Sequence, residues 1–254
     1  MQTPNSEYNG EEWELRVKLA ATYRIFDYLG WTSIIFNHIT TRIPGPEHNF
    51  LINPFGLRYD EVTASNLVKV DSNGKKVKGS NYEDWDINEA GFTIHSAIHN
   101  CIEEALCIMH THTPAGLAVA CKTNGLSNTN IYSSMIFDRI SYHDFEGVAL
   151  RNDEQERLVE SIGSNPLLIL RNHGLLSTGR TIEEAFVRLW TLQMACETQV
   201  LAESMLGPNI EVSNEATAFN IKEVRLFNDA PRETDKSFDA LLRIIDKKDP
   251  SYKS

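Results

Sequence analysis

Two short apolar runs constrain the fold of this chain more than any other feature. Ala105-Leu106-Cys107-Ile108-Met109-His110 and Leu167-Leu168-Ile169-Leu170-Arg171 are each too short for a stable helix and carry no polar alternation. Such runs read as buried strands, and buried strands need packed layers around them. Candidate layers follow from helical spacing. Trp13, Val17, Ala20, Ala21, Arg24, Ile25 and Tyr28 recur every three or four residues over 11–29, and Gly30 stops that helix. Asn88 can cap a helix running to about residue 104. Thr181-Ile182-Glu183-Glu184 is a capping box opening a helix to about residue 205, with Ala185, Leu189, Leu192, Cys196 and Val200 inward. Residues 33–42 and 49–53 read as strands joined through Pro44-Gly45-Pro46. Val68-Lys69-Val70 and Lys75-Lys76-Val77 read as a hairpin around Asn73-Gly74. Strands and helices mix without strict alternation, so the expected fold class is α/β: a three-layer α/β/α domain around a mixed sheet. That domain is expected over residues 11–206. Residues 207–254 are expected as a polar extension with a short helix at Phe238, Leu241, Leu242 and Ile245, docked on the body or on a neighbouring subunit.

Composition removes several function classes. The 24 Lys and Arg against 35 Asp and Glu give a net charge of −11. That is the wrong sign for a nucleic-acid footprint or a polybasic membrane patch. No apolar run is long enough to span a bilayer, and the polar first seven residues resemble no signal or transit peptide. Cys101, Cys107, Cys121 and Cys196 form no CxxC pair and read as reduced core thiols, which points to a cytoplasmic protein. Glycine-rich nucleotide loops and the GxSxG elbow are absent.

The sharpest chemistry is His110-Thr111-His112. On an extended chain, residues i and i+2 share a face, so two imidazoles project together at a strand end. His173 also follows an apolar strand, in Asn172-His173-Gly174. Three neutral imidazoles with a fourth position open would make a catalytic zinc site; iron, cobalt or nickel also accept such donors. Spacing alone does not bring His173 to the other two, and each of the three reads equally as a satisfied core or surface histidine. Glu89 opens the helix before the first strand. A carboxylate there suits its own helix N-terminus, or serves as a general base beside a metal-bound carbonyl. His95 and His99 have the spacing of a helical metal pair but also of a buried helix face. His38 reads as structural, and His143 as a partner of Asp144 or a loop residue.

Several segments together resemble the class II aldolase/adducin family. They are Phe36-Asn37-His38-Ile39-Thr40, Asn53-Pro54-Phe55-Gly56-Leu57, Asn88-Glu89-Ala90-Gly91-Phe92-Thr93-Ile94-His95-Ser96, His110-Thr111-His112-Thr113-Pro114-Ala115-Gly116, Tyr142-His143-Asp144 and Leu170-Arg171-Asn172-His173-Gly174-Leu175. They occur in order over residues 11–206, and their wording is closest to the adducin head and its bacterial relatives. The resemblance implies a central mixed, mainly antiparallel sheet. It implies a zinc-type site from His110, His112 and His173, with Fe2+, Mn2+ or Co2+ as alternatives, and Glu89 as acid/base. It also implies a homotetramer with active sites at subunit interfaces, where Tyr132 would be the tyrosine lent by a neighbour. Asn37, Gly56 and Asn88 fall at its substrate-binding positions.

Where sugar-phosphate aldolases carry a glycine, a threonine-glycine and a serine pair, this chain has Phe36, Phe55-Gly56 and Ile87-Asn88. Hydroxyl donors are lost and bulk is added, while a phosphate dianion needs several donors. The expected substrate is therefore a small unphosphorylated hydroxy-carbonyl compound, cleaved by a metal-dependent lyase through a metal-stabilised enediolate. Two other readings stand beside it: an adducin-head-like oligomerising or cytoskeletal scaffold without catalysis, and a non-haem iron oxygenase or decarboxylase on the same histidines. Actin binding is not expected, because no lysine-rich tail follows within these 254 residues.

Overall fold

The computed structural model describes residues 8–77, 85–147, 152–228 and 233–254. Residues 1–7, on which the targeting-peptide expectation rests, lie outside them. The elements in chain order are α1 (Gly10–Leu29), β1 (His38–Arg42), β2 (Phe50–Ile52), β3 (Val68–Val70), α2 (Glu89–Cys101), β4 (Cys107–Thr111), α3 (Pro114–Ala120) and α4 (Ile131–Ile136). They continue with β5 (Ile140–His143), α5 (Asn152–Ile162), β6 (Leu167–Leu170), β7 (Gly174–Gly179), α6 (Ile182–Ser204), α7 (Asn214–Asn228) and α8 (Glu233–Lys248).

The seven strands form one sheet in the order β3-β2-β1-β4-β7-β6-β5. Every neighbouring pair is antiparallel except β5 with β6, which is parallel. This is the three-layer α/β/α fold with a mixed, mainly antiparallel sheet. The lack of alternation in the apolar runs now has its cause, because the central strands are buried on both faces. Cys107 and Met109 pack with Leu19 and Phe26 of α1 and Phe186 and Leu189 of α6. Ile108 points the other way, with Leu168 and Leu176, onto Ile94 and Ile98 of α2 and Leu158 and Ile162 of α5. Phe238 and Ile245 of α8 are buried in the first of these cores. On α7, Asn220 Nδ2 donates to Ser134 Oγ of α4 at 2.8 Å.

Helix ends follow the local chemistry. Asn9 Oδ1 accepts from Glu12 N, and Gly30 closes α1 at φ 72°. Thr181 Oγ1 accepts from Glu184 N, but the Glu184 carboxylate takes the Arg180 N–H (2.7 Å) rather than the Thr181 N–H of a full capping box.

Four local expectations are corrected. The strand expected from residue 33 begins at His38. Its partner β4 ends at Thr111, just past the residue opposite His38, so the preceding residues have nothing to pair with and turn through Phe36 N to Ser33 O. The 68–77 hairpin keeps its Asn73-Gly74 turn, with Gly74 at φ 79°, but its return limb makes a single bridge, Val70 to Lys76. Val200 is 37 % exposed, on the outer turns of α6. Cys101 and Cys121, at helix ends, are exposed, while Cys107 and Cys196 are buried.

Tyr23 ties α1 to the two strands beside the site. Its buried hydroxyl donates to Ile39 O (2.6 Å) and accepts from the N–H groups of Ile39 (3.0 Å) and Asn53 (3.3 Å). Removing the oxygen leaves buried backbone groups without a partner. Tyr23→Phe is expected to lower stability by about 1–3 kcal/mol, read from urea unfolding. An unchanged midpoint would show that the hydroxyl does not hold these strands.

Candidate functional site

The antiparallel pairing of β4 with β7 brings the three histidines together. His110 lies in β4, opposite Leu176, and His112 leaves the end of that strand. His173 sits in the tight turn from β6 into β7, where Leu170 pairs with Gly174. Asn172 takes the left-handed conformation (φ 57°), which asparagine tolerates better than most residues. Gly174 must be glycine, since a Cβ there would stand 2.3 Å from the Thr111 carbonyl oxygen on β4.

His110 Nε2 lies 2.8 Å from His112 Nε2 and 3.3 Å from His173 Nε2. His110 Nδ1 donates to the Leu175 carbonyl at 2.9 Å, so a neutral His110 presents a lone pair at Nε2. The His112 backbone N–H donates to Asn37 Oδ1 (3.1 Å), whose Nδ2 in turn donates to Trp31 O (2.8 Å). All three rings are held in the neutral state required of a ligand. Burial depresses the His110 pKa well below its usual value, with help from the neighbouring histidines, and burial also lowers that of His112. Burial, then His112 and His143, bring His173 down to about 4. Four-coordinate zinc with Zn–N bonds of about 2.0–2.1 Å sets its nitrogens roughly 3.3 Å apart. Three imidazole nitrogens crowded at this range, the central one a lone pair, fit a divalent ion.

Beside them runs a buried hydrogen-bonded chain. His99 Nδ1 donates to Ala105 O (2.6 Å), and Thr40 Oγ1 lies 2.7 Å from both His99 Nε2 and His95 Nδ1. His95 Nε2 is 3.0 Å from His38 Nδ1. The His95 and His99 spacing thus serves a threonine bridge. Burial takes His99 down to about 3, and takes His38 and His95 well below their usual values, with neighbouring histidines adding to the effect on both. His143 bonds Ser161 Oγ (2.9 Å) rather than Asp144.

A cavity of about 410 Å³ opens onto the cluster, lined by His38, Asn88, His112 and His173 and walled by Phe36 and Phe145. Among its described lining residues there is no lysine or arginine. A larger groove of about 620 Å³ between α4, α6, α7 and α8 holds none of the histidines.

The remaining expected site residues divide. Asn88 lines the cavity, while its Oδ1 caps α2 through Gly91 N (3.0 Å). Asn37 is buried behind His112. Gly56 (φ 109°) is exposed and does not itself line the cavity, although the ring of its neighbour Phe55 lies 6.3 Å from that of cavity-lining Phe36. Glu89 is exposed on the first turn of α2, between cavity-lining Asn88 and Ala90 but not itself in the wall. Tyr132 packs edge-on against Trp190 (5.6 Å) and does not reach the cavity of its own chain. The cavity wall also holds His38 and Phe145, which the sequence does not mark as site residues. The signal for His38 was its position on the strand that pairs with β4, which only the sheet order reveals.

Residues 17–200 match the sequence pattern of the class II aldolase and adducin N-terminal domain. The chain belongs to that family. A Pseudomonas aeruginosa protein of the aldolase class 2 group is 43% identical over 250 residues, 98% of this chain and 95% of that one. Rat alpha-adducin is 45% identical over 202 residues, which cover 79% of this chain but 27% of the adducin. The solved L-fuculose 1-phosphate aldolase of Glaciozyma antarctica superposes with a TM-score of 0.83 at 27% identity, covering 100% of this chain and 97% of that one. Among the described residues, no helix is long and apolar enough to cross a membrane.

His99 and His173 carry a pH signature. Their folded pKa values, about 3 and about 4, lie below the usual 6.5. Below pH 6.5 the unfolded chain therefore binds more protons than the folded one. The stability they contribute is complete above that pH and is lost as pH falls, towards 4 for His173 and 3 for His99. In metal-free protein the urea midpoint is expected to be level above pH 7. Below pH 6.5 the unfolding free energy read from that titration should fall by up to about 1.4 kcal/mol per pH unit for each histidine. A level curve from pH 7 to 4 would contradict the buried neutral histidines.

Proposed function

We propose that this protein is a metal-dependent lyase of the class II aldolase type, acting on a small, unphosphorylated hydroxy-carbonyl compound. The observation that best supports this reading is the convergence of three imidazole nitrogens at 2.8 and 3.3 Å beside a cavity. Zinc suits the donor set, and Fe2+, Mn2+ or Co2+ are accepted by the same nitrogens. When bound, the ion supplies Lewis-acid polarisation of the substrate carbonyl.

The protein's own residues do the rest. The Leu175 carbonyl fixes the His110 tautomer, and Asn37 holds the backbone of His112. Asn88, on the cavity wall, is the proposed hydrogen-bond donor to substrate. Asn37 acts through His112, and the exposed backbone at Gly56 is the third binding position carried over from the family pattern. Phe36 and Phe145, with no cation in the described lining, disfavour a phosphate. In cleavage, the β-hydroxyl gives up its proton and the Cα–Cβ bond breaks to leave an aldehyde. The enolate carbon takes a proton back. Glu89 is assigned the carriage of that proton, from its exposed position at the cavity edge. Tyr132 is assigned to the active site of a neighbouring subunit in a homotetramer, because it does not reach the cavity of its own chain. A cytoplasmic location suits the reduced thiols.

Metal analysis of purified protein tests the site. About one ion per chain is expected, lost in the His110→Ala/His112→Ala double variant. Iron in place of zinc would move the proposal to oxygenase or decarboxylase chemistry. No metal after loading with zinc, manganese, cobalt and iron would favour a scaffold of the adducin-head kind. Glu89→Gln is expected to keep its metal while losing at least about a hundredfold in kcat. Normal turnover would remove Glu89 from the mechanism.

A further inference from the structure

The chain from Ala105 to His38 has one consistent direction. A backbone carbonyl only accepts, so His99 carries its proton on Nδ1 and its Nε2 is a lone pair. Thr40 has one hydroxyl proton, and His99 Nε2 takes it. Thr40 Oγ1 must then accept from His95 Nδ1–H, which makes His95 Nε2 a lone pair that accepts from His38 Nδ1–H. Every link is short and buried, and four groups on β1 and α2 are satisfied in series. The end of the series is His38 Nε2, an acceptor with no hydrogen bond to the described residues, in a ring that lines the cavity beside His112 and His173.

Packing keeps that ring in place. His38 stands directly opposite His110 across the β1–β4 pairing, with ring centroids 5.0 Å apart. One face of the ring lies over Gly91, where a Cβ would come within 2.3 Å of Nε2 and Cδ2. His38 lies outside the group of three histidines close enough to share one ion. That leaves its Nε2 lone pair outside the donor set of the ion.

We propose that His38 is a substrate-positioning residue: its Nε2, aimed by the Ala105–His99–Thr40–His95 chain, accepts a hydrogen bond from a hydroxyl of the ligand bound at the three-histidine cluster. This rests on the lyase reading above and deepens it. The preferred ligand carries, next to its metal-chelating oxygens, a hydroxyl that can donate. A methyl in that position would leave the buried acceptor unpaired.

Two probes differing in that hydroxyl test the proposal: glycolohydroxamate and acetohydroxamate, titrated into cobalt- or zinc-loaded protein by calorimetry. Wild type is expected to bind the hydroxyl-bearing probe about five- to tenfold more tightly, the worth of one neutral hydrogen bond. In His38→Phe the preference should fall to within about twofold, with acetohydroxamate affinity retained. Thr40→Val should also weaken the preference without touching the cavity, because His95 loses the acceptor that fixes its tautomer. Histidine 15N spectra of metal-free wild type should place the His38 proton on Nδ1. Equal affinity for the two probes in wild type, an undiminished preference in His38→Phe, or a proton on His38 Nε2 would each overturn the proposal. Failure of every metal to load would be seen first in the metal analysis and would count against the lyase reading. The nitrogen spectra would still decide the direction of the chain.

Discussion

The antiparallel pairing of β4 with its two neighbours is the constraint on which the rest of this molecule depends. On one side β7 starts where β4 ends, so the turn carrying His173 falls beside His110 and His112. On the other side β1 sets His38 opposite His110. Side-chain period does the sorting. Residues 107 and 109 face the α1–α6 layer, while 108 and 110 face α2. A slip of one residue in either pairing would turn the histidines into the apolar core and apolar side chains into the cavity.

Two backbone carbonyls polarise the region. Leu175 O takes the Nδ1 proton of His110, and Ala105 O takes that of His99. Each leaves a lone pair further along, one facing the other cluster nitrogens and one passed through Thr40 and His95 to His38. Burial maintains this pattern, because a protonated imidazole in the core would lose its solvation and face other histidines. The glycines at 174 and 91 serve the same end. A side chain at either would collide with the strand carbonyl or the ring that the site needs close.

Some of this is legible in the sequence and some is not. His110 and His112 were readable as a pair because two-residue spacing on a strand is a local rule. The central apolar strands, α1, α2 and α6 were readable from length, caps and periodicity. Helix α5 was not, because Leu158, Val159 and Ile162 are too few in a charged segment to declare a face. The pairing of His95 with His99 had a metal-like spacing, yet the group between them is a threonine from a strand about fifty-five residues earlier. Motif resemblance supplied the family and the grouping of His173 with the other two. It did not supply the surroundings of Glu89 and Tyr132, which lie outside the cavity wall of their own chain.

By itself, the sequence determined the layers: strands without alternation must be covered twice, and capped, periodic segments are what cover them. It also determined which side chains could ligate, since donor type and i, i+2 spacing are properties of the chain. Tertiary structure decided which of the eight histidines meet, which carry a lone pair into the cavity and which only hold another in place. Those outcomes depend on strand order and on the direction of each hydrogen bond. Both are set by partners from distant segments, such as Leu175 for His110 and Thr40 for His95 and His99.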